Sequence, residues 1–213
     1  TRVASTPSAP FNPTNNNIAR PSADSLNYIS NFLREKYGYE TGAYQQYETN
    51  IAREKFMTRI DWNISSKHRF NIRYNQVEGG EPNPPSTSRS PATASANDNG
   101  RTTFNALWFE NSNYFQGANF YSLAAELNSS FGRIANTLRG TYTYQNDSRL
   151  STSSIFPFVD ILSFGTPYTS FGYEPFSFGN LRKVKTYSIV DNITWSLNKH
   201  QVTLGGQADF SYT

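Results

Sequence analysis

Few residues in this sequence are equipped for covalent chemistry. His68 and His200 are its only 2 histidines. Each stands beside a lysine in a stretch that reads as a tight turn, "SSKH" and "LNKH". A metal site draws several such donors to one point, whereas an imidazole in a solvated turn needs no partner, and the turn is the simpler reading of both. The chain has no cysteine, which excludes a disulfide framework and a thiolate metal site. No nucleophile has a base at a recognisable spacing, and there is no glycine-rich phosphate loop. The sequence therefore predicts no enzyme and no cofactor. In "ANDNG", Asp98 and Asn99 carry oxygens of the kind Ca²⁺ takes, but the distant Glu of a calcium loop is missing and a plain Asn-Gly turn accounts for them.

What the chain has in quantity is rings, with 16 Phe, 14 Tyr and 3 Trp. Two stretches, "FNALWFENSNYF" (104–115) and "SIFPFVDILSFGTPYTSFGYEPFSFGN" (154–180), are far more aromatic than ordinary surface loops. Exposed ring clusters commonly bind something, which makes Trp108, Phe109, Tyr114, Phe156, Tyr168, Tyr173 and Phe176 candidates for contact with a ligand or partner. The competing reading is that these rings pack on one another and order the loops.

The elements that must position them follow from composition and period. Mean hydropathy is −0.64 with 36% hydrophobic residues, too polar for a large dry core. The net charge of +3 rests on Lys and Arg that sit singly, so no basic run tracks a phosphate backbone and nucleic acid is not an expected partner. No stretch reaches the roughly 18 apolar residues of a transmembrane helix. The opening "TRVASTPSAP" lacks the pattern of a signal peptide and does not begin with Met, so the chain is expected to be an internal or processed piece of something longer. An irregular stretch runs to about Arg20. A short helix is expected from Ser22 to Gly38, with Ser22 or Asp24 as its cap, Leu26, Ile29, Phe32 and Leu33 on one face and Gly38 just past its end.

Beyond it a two-residue period takes over. In "FMTRIDWNISSKHRFNIRY", Phe56, Thr58, Ile60 and Trp62 alternate with Met57, Arg59, Asp61 and Asn63. Similar hairpins follow at about 121–144 and 185–213, and "DWNISSKH" in the first resembles "TWSLNKH" in the third. An alternating strand fits a soluble sandwich or a membrane barrel equally. Three features favour the barrel. One face carries Arg59, Asp61, Arg73, Glu126, Arg139, Asn192, Gln207 and Asp209 while the other is almost free of charge. The strands reach the roughly nine to eleven residues that a tilted crossing needs. Short turns at one end, with Trp62 and Trp195 beside them, alternate with long connections at the other, the asymmetry of outer-membrane barrels. The fold expected is all-β, an antiparallel transmembrane β-barrel: residues 1–54 form an extracellular loop segment with a helix at about 22–37 leading into a strand, and 55–213 form a partial barrel with hairpins at about 55–77, 121–144 and 185–213. About six strands cannot close a barrel, so a larger one is implied.

The stretches "KFMTRIDWNISSKHRFNIRYNQVEGG", "FPFVDI", "GYEPFSFGN" and "DNITWSLNKHQVTLGGQADF" resemble the barrel of TonB-dependent outer-membrane receptors, specifically the Oar-like group of Bacteroidota, related to SusC/RagA-type transporters. The resemblance covers the chain from about Asp24 onward and lies in the order of these stretches. It implies a barrel of about 22 strands around a plug, taking up a large or scarce ligand with energy from the inner membrane. The partners it implies are outer-membrane lipid, the remainder of the barrel and its plug, the TonB–ExbB–ExbD complex through the N-terminal part, and a surface lipoprotein or other outer-membrane proteins. No TonB box, plug or closing aromatic strand is recognisable, so these residues are expected to supply wall and loops. "DSL" (24–26) resembles the short O-glycosylation signal of Bacteroidota, although helix capping by Asp24 explains it equally. The rival readings are a passive structural or adhesive barrel and a soluble carbohydrate-binding sandwich. Siderophore, glycan, peptide and protein all stay open as ligands.

Overall fold

The computed structural model describes residues 2–15, 17–88, 100–103 and 105–213. Asp98 and Asn99 of the candidate calcium turn lie outside the described residues, as does Phe104. In chain order the elements are β1 (Val3–Ser5), β2 (Ile18–Ser22), α1 (Ala23–Tyr37), β3 (Arg53–Asn63), β4 (His68–Asn83), a 3-10 turn (Glu110–Ser112) and β5 (Tyr114–Gly117). They continue with β6 (Asn119–Phe131), β7 (Ile134–Ser151), β8 (Val159–Ser163), β9 (Thr166–Phe171), β10 (Leu181–Leu197) and β11 (His200–Tyr212). The chain divides into two compact units: Thr1–Ile51, Glu81–Gln116 and Arg149–Asn180 form the first, and Ala52–Gly80, Gly117–Ser148 and Leu181–Thr213 form the second.

The second unit is an antiparallel sheet in the order β3-β4-β6-β7-β10-β11. Because side chains alternate across a strand, its register sorts the sequence into rows. One row reads Ile60, Ile72, Ala125, Gly140, Ile189 and Ala208; the adjacent row on the other face reads Asp61, Asn71, Glu126, Arg139, Val190 and Gln207. The polar rows satisfy themselves along and across strands. Arg139 Nε donates to Glu126 Oε2 at 2.7 Å, Arg59 Nε to Asp61 Oδ2 at 2.8 Å, and Thr137 Oγ1 to Asn128 Oδ1 at 2.8 Å. The apolar rows find no cover within the sheet, and Ile60, Trp62, Leu204 and Phe210 are all exposed. Such a face needs an apolar cover, which in a membrane barrel is hydrocarbon.

Row position relative to the turns shifts steadily. The row through Trp62 and Phe70 lies beside the turn in the first hairpin, passes through Leu127 and Leu138 further from the second turn, and reaches Asp191 and Gly206 furthest from the third. That stagger is what tilted strands in a barrel wall need. It also corrects one expectation, since the apolar face carries carboxylates: Glu54 and Glu78 stand opposite each other at the end away from the first turn, where the Tyr121 hydroxyl donates to Glu78 at 2.7 Å, and a third lies far from the third turn. Asp191 shares the row of Leu138, and Asn136 Nδ2 donates to its Oδ1. The amide offsets part of the cost of a carboxylate there, which is lower than the roughly 2–4 kcal/mol of Lys or Arg at the midplane.

The first unit is where the long connections go. The long connections 78–120 and 145–185 contain β5, β8, β9 and the 3-10 turn. Its core comprises Ala4, Ala19, Leu26, Leu33, Tyr39, Leu107, Phe109 and Phe171. The N-terminal segment and both connections thus share one core, whereas the sequence sets 1–54 apart from 55–213. β1 and β2 pair in parallel through Val3 and Ile18, giving structure to a stretch expected to be irregular. Ser22, and not Asp24, caps α1 by accepting from Ser25 N at 3.2 Å, Asp24 lying inside the first turn, and Gly38, at φ 63°, ends it with its N–H on Arg34 O at 3.0 Å. Leu26 and Leu33 are buried, while Phe32, expected on the same face, is exposed at the edge of the helix's apolar stripe. β8 and β9 join through Phe164 and Gly165, both with positive φ (51° and 77°), the backbone of a tight type I′ hairpin turn.

The row assignment makes a test. Ile193→Arg puts a cation on the apolar face at a cost of about 2–4 kcal/mol and is expected to impair assembly of the barrel that carries this chain. Thr194→Arg, beside Thr203 on the polar face, is expected to be tolerated. Heat-modifiable migration on gels reads both, and equal tolerance would contradict the faces.

Candidate functional site

The first unit separates the candidate aromatic residues into distinct settings. Phe109 is fully buried, with Tyr44 edge-on at 6.0 Å and Phe171 at 6.5 Å. Phe156 stacks on Tyr39 with centroids 4.0 Å apart. The Tyr39 hydroxyl shares a 2.8 Å hydrogen bond with Ser153 Oγ and accepts from Gly172 N at 3.1 Å, and burial pushes its pKa up. These two candidate rings order the unit, and Phe109 presents nothing to solvent.

Tyr114 and Phe176 flank one guanidinium, that of Arg149, at 3.6 Å and 5.7 Å from their centroids. Tyr173 meets Phe178 edge-on at 6.3 Å, and its backbone N–H donates to Phe156 O at 3.1 Å. Tyr168 accepts from Ser22 N through its hydroxyl at 2.7 Å and lies under Arg20 at 5.8 Å. Arg20 in turn donates to the carbonyls of Ser163 (3.2 Å) and Pro167 (3.0 Å), which ties β2 to the β8–β9 hairpin. Burial lowers the pKa of Arg20, and carbonyl partners suit a partly desolvated guanidinium.

Trp108 remains partly open. Its Nε1 donates to Asn113 Oδ1 at 2.7 Å, and the Arg2 guanidinium sits 5.6 Å from its ring. It lines a cleft of about 360 Å³ with Arg2, Tyr44, Gln46, Tyr47 and Leu107, and an adjoining cleft of about 190 Å³ with Tyr47, Pro82, Asn83 and Asn113. Tyr168 lines a shallow depression of about 630 Å³ together with Asp24, Tyr28, Ile161 and Leu162. Rings flanked by amides and a cation can bind and orient a ligand; they offer no nucleophile and base.

Two ion pairs that no sequence motif marks hold this unit. Arg149 Nη2 contacts Glu174 Oε1 at 2.7 Å, and Glu174, fully buried, also accepts from Ser177 Oγ at 2.6 Å and Phe176 N at 3.2 Å. Arg101 reaches both oxygens of Asp160 at 2.7 Å, and Ser170 Oγ donates to the same carboxylate at 2.7 Å. The available signal was an acid inside an apolar run, "GYEPF" and "FVDIL", since such an acid is paired when buried.

The histidines stay apart from this. His68 opens β4, shares a 2.9 Å hydrogen bond with Ser129 Oγ through Nδ1, and packs edge-on against Phe131 at 5.3 Å. It is therefore half-buried between hairpins rather than fully solvated. His200 is exposed at the start of β11. Among the described residues no group of three His, Cys, Asp or Glu is arranged to hold a metal ion.

The second unit carries its own chemistry, on the apolar face. Trp62 precedes the first turn, and Trp195, opposite Ile134 and Val202, precedes the third. At the far end of the strands runs a belt of rings: Tyr121 stacks on Tyr144 at 5.8 Å, Tyr142 meets Tyr187 at 4.9 Å, and Tyr187 meets Tyr212 at 6.3 Å. Two aromatic girdles bounding an aliphatic band match the two interfaces of a bilayer.

No helix among the described residues is long and apolar enough to cross a membrane. The family model described as an outer membrane beta barrel domain matches residues 1–212. The chain belongs to this family and is an outer-membrane protein. No curated protein and no solved structure matches it.

The buried pair sets an expectation for the first unit. Glu174→Ala leaves Arg149 without its carboxylate and is expected to cost about 3–5 kcal/mol. Limited proteolysis of the assembled barrel should then cut within 149–180 while the strands of the second unit stay protected. Wild-type resistance in the variant would show that the pair does not hold the unit.

Proposed function

Taking membership of the outer membrane beta barrel family as the premise, we propose that this chain is part of the barrel of a TonB-dependent receptor. Such a receptor takes up a large or scarce ligand with energy from the inner membrane. The observation that carries the reading is the pairing of a charged, water-facing set of rows with six long strands whose outer members, β3 and β11, each have one strand partner among the described residues. Backbone groups left unpaired in lipid cost several kcal/mol each. Further strands are therefore required, and in the barrel of about 22 strands that the resemblance implies, the lumen is wide enough to need a plug. The sequence stretches that resemble Oar-like receptors support the same conclusion.

In this reading the first unit meets the ligand outside, with Trp108 and Tyr168 at its open depressions. A buried core and two buried ion pairs hold those depressions in shape, which lowers the ordering cost of binding. The polar rows, with Arg59, Asp61, Arg139 and Glu126, face the plug and water.

A passive adhesive barrel is the second reading, favoured by one observation: Phe164 is 99% and Ile155 83% exposed on the first unit. Apolar side chains presented this openly suit attachment to a surface.

Energy coupling separates the two. The intact protein containing this chain is expected to co-purify with the periplasmic domain of TonB, and photocross-links between them should form in cells. Absence of both, with the barrel correctly assembled, would leave the adhesive barrel standing. Trp108→Ala is expected to leave that coupling intact while weakening ligand uptake about tenfold, the scale of a lost aromatic contact, read as cell-associated ligand at limiting concentration.

A further inference from the structure

We propose that the apolar face of β7, β10 and β11 holds one phosphate-bearing lipid of the outer leaflet, its phosphate between Lys183 and Lys185 and an acyl chain in the groove beside them. The two lysines are the first observation. Both are exposed and both stand on the apolar face, since they share the alternation of Tyr187 and Ile189. Lys185 lies opposite Tyr144 and Tyr212, with its Nζ 6.0 Å from the Tyr144 centroid, and Lys183 lies opposite Asn146. Among the described residues neither lysine has an ion-pair partner: Asp147 is on the other face, where Arg182 approaches it at 3.8 Å. They sit at the end of the strands away from the short turns, which in these barrels is the extracellular end.

The groove is the second observation. A depression of about 410 Å³ is lined by Leu123, Ala125, Gly140, Tyr142, Ile189 and Phe210. It exists because Ala125 and Gly140 stand side by side in a row whose flanking row carries Leu123, Tyr142, Tyr187 and Phe210. A Cβ added at Gly140 would meet nothing within 4 Å. The rows from Lys183 through Lys185 and Tyr187 to Ile189 descend by about 7 Å per step along the strand. The order is cation, cation, tyrosine, apolar groove, which is the order of phosphate, polar linkage and acyl chain in a lipid lying against the wall.

The test uses the intact barrel in nanodiscs of phosphatidylcholine doped with diphosphorylated lipid A, with retained lipid counted by native mass spectrometry. One lipid A per barrel is expected to survive transfer to detergent. The pair Lys183→Ala and Lys185→Ala is expected to lower retention about thirtyfold, the factor that two interfacial lysines carry. Gly140→Ile, which fills the groove and keeps both lysines, is expected to lower it as well. Heat-modifiable migration certifies that each variant is assembled, and Lys183→Arg with Lys185→Arg should restore retention. Equal retention of dephosphorylated lipid A or phosphatidylcholine, retention unchanged in the lysine variant, or displacement by inorganic phosphate alone would each overturn the proposal.

Discussion

Backbone pairing in an antiparallel ladder forces successive side chains to opposite faces, and in the second unit every consequence descends from that alternation. Water and hydrocarbon each claim one face, so a residue's parity along β3, β4, β6, β7, β10 or β11 decides what it can be. The Glu126–Arg139 and Arg59–Asp61 pairs belong to one parity, and Ile60, Ile189 and Phe210 to the other. A slip of one residue in any pairing would exchange the faces, and the uniform register across the sheet shows that the pattern holds from strand to strand.

The exceptions are informative because the rule is strict. Asp191 stands among aliphatic neighbours and is met by Asn136. Lys183 and Lys185 stand near the aromatic belt, where long side chains reach the polar boundary. In the first unit the governing rule differs. Its segments are joined by rings and by carboxylates buried with arginines, and neither has a period, because no single plane divides the environments there.

This difference explains what the sequence could convey. Strand faces were legible, since alternation is set by solvent and needs no tertiary knowledge. The end of α1 was legible from Gly38, whose backbone role is local, and its start to within two residues, between Ser22 and Asp24. Asp191 was legible in principle, being two residues from Ile189 and from Ile193, but a majority pattern conceals its own exceptions. The settings of Phe109 and Trp108, one residue apart, were not legible: one is enclosed by Tyr44 and Phe171 and the other faces a cleft, and only the folded partners distinguish them. The partners of Glu174 and Asp160 were hidden for the same reason, although an isolated acid among apolar neighbours pointed to a pairing.

The first unit is assembled from three stretches that the strands of the sheet interrupt. Its core is complete only with all three, the last of which contains Glu174 and Phe171. It is also inherited as a set. An evolutionary exchange that imports only one of the three stretches from a relative brings half of each interlocking surface, and diversification of this unit should proceed by coordinated change in all three.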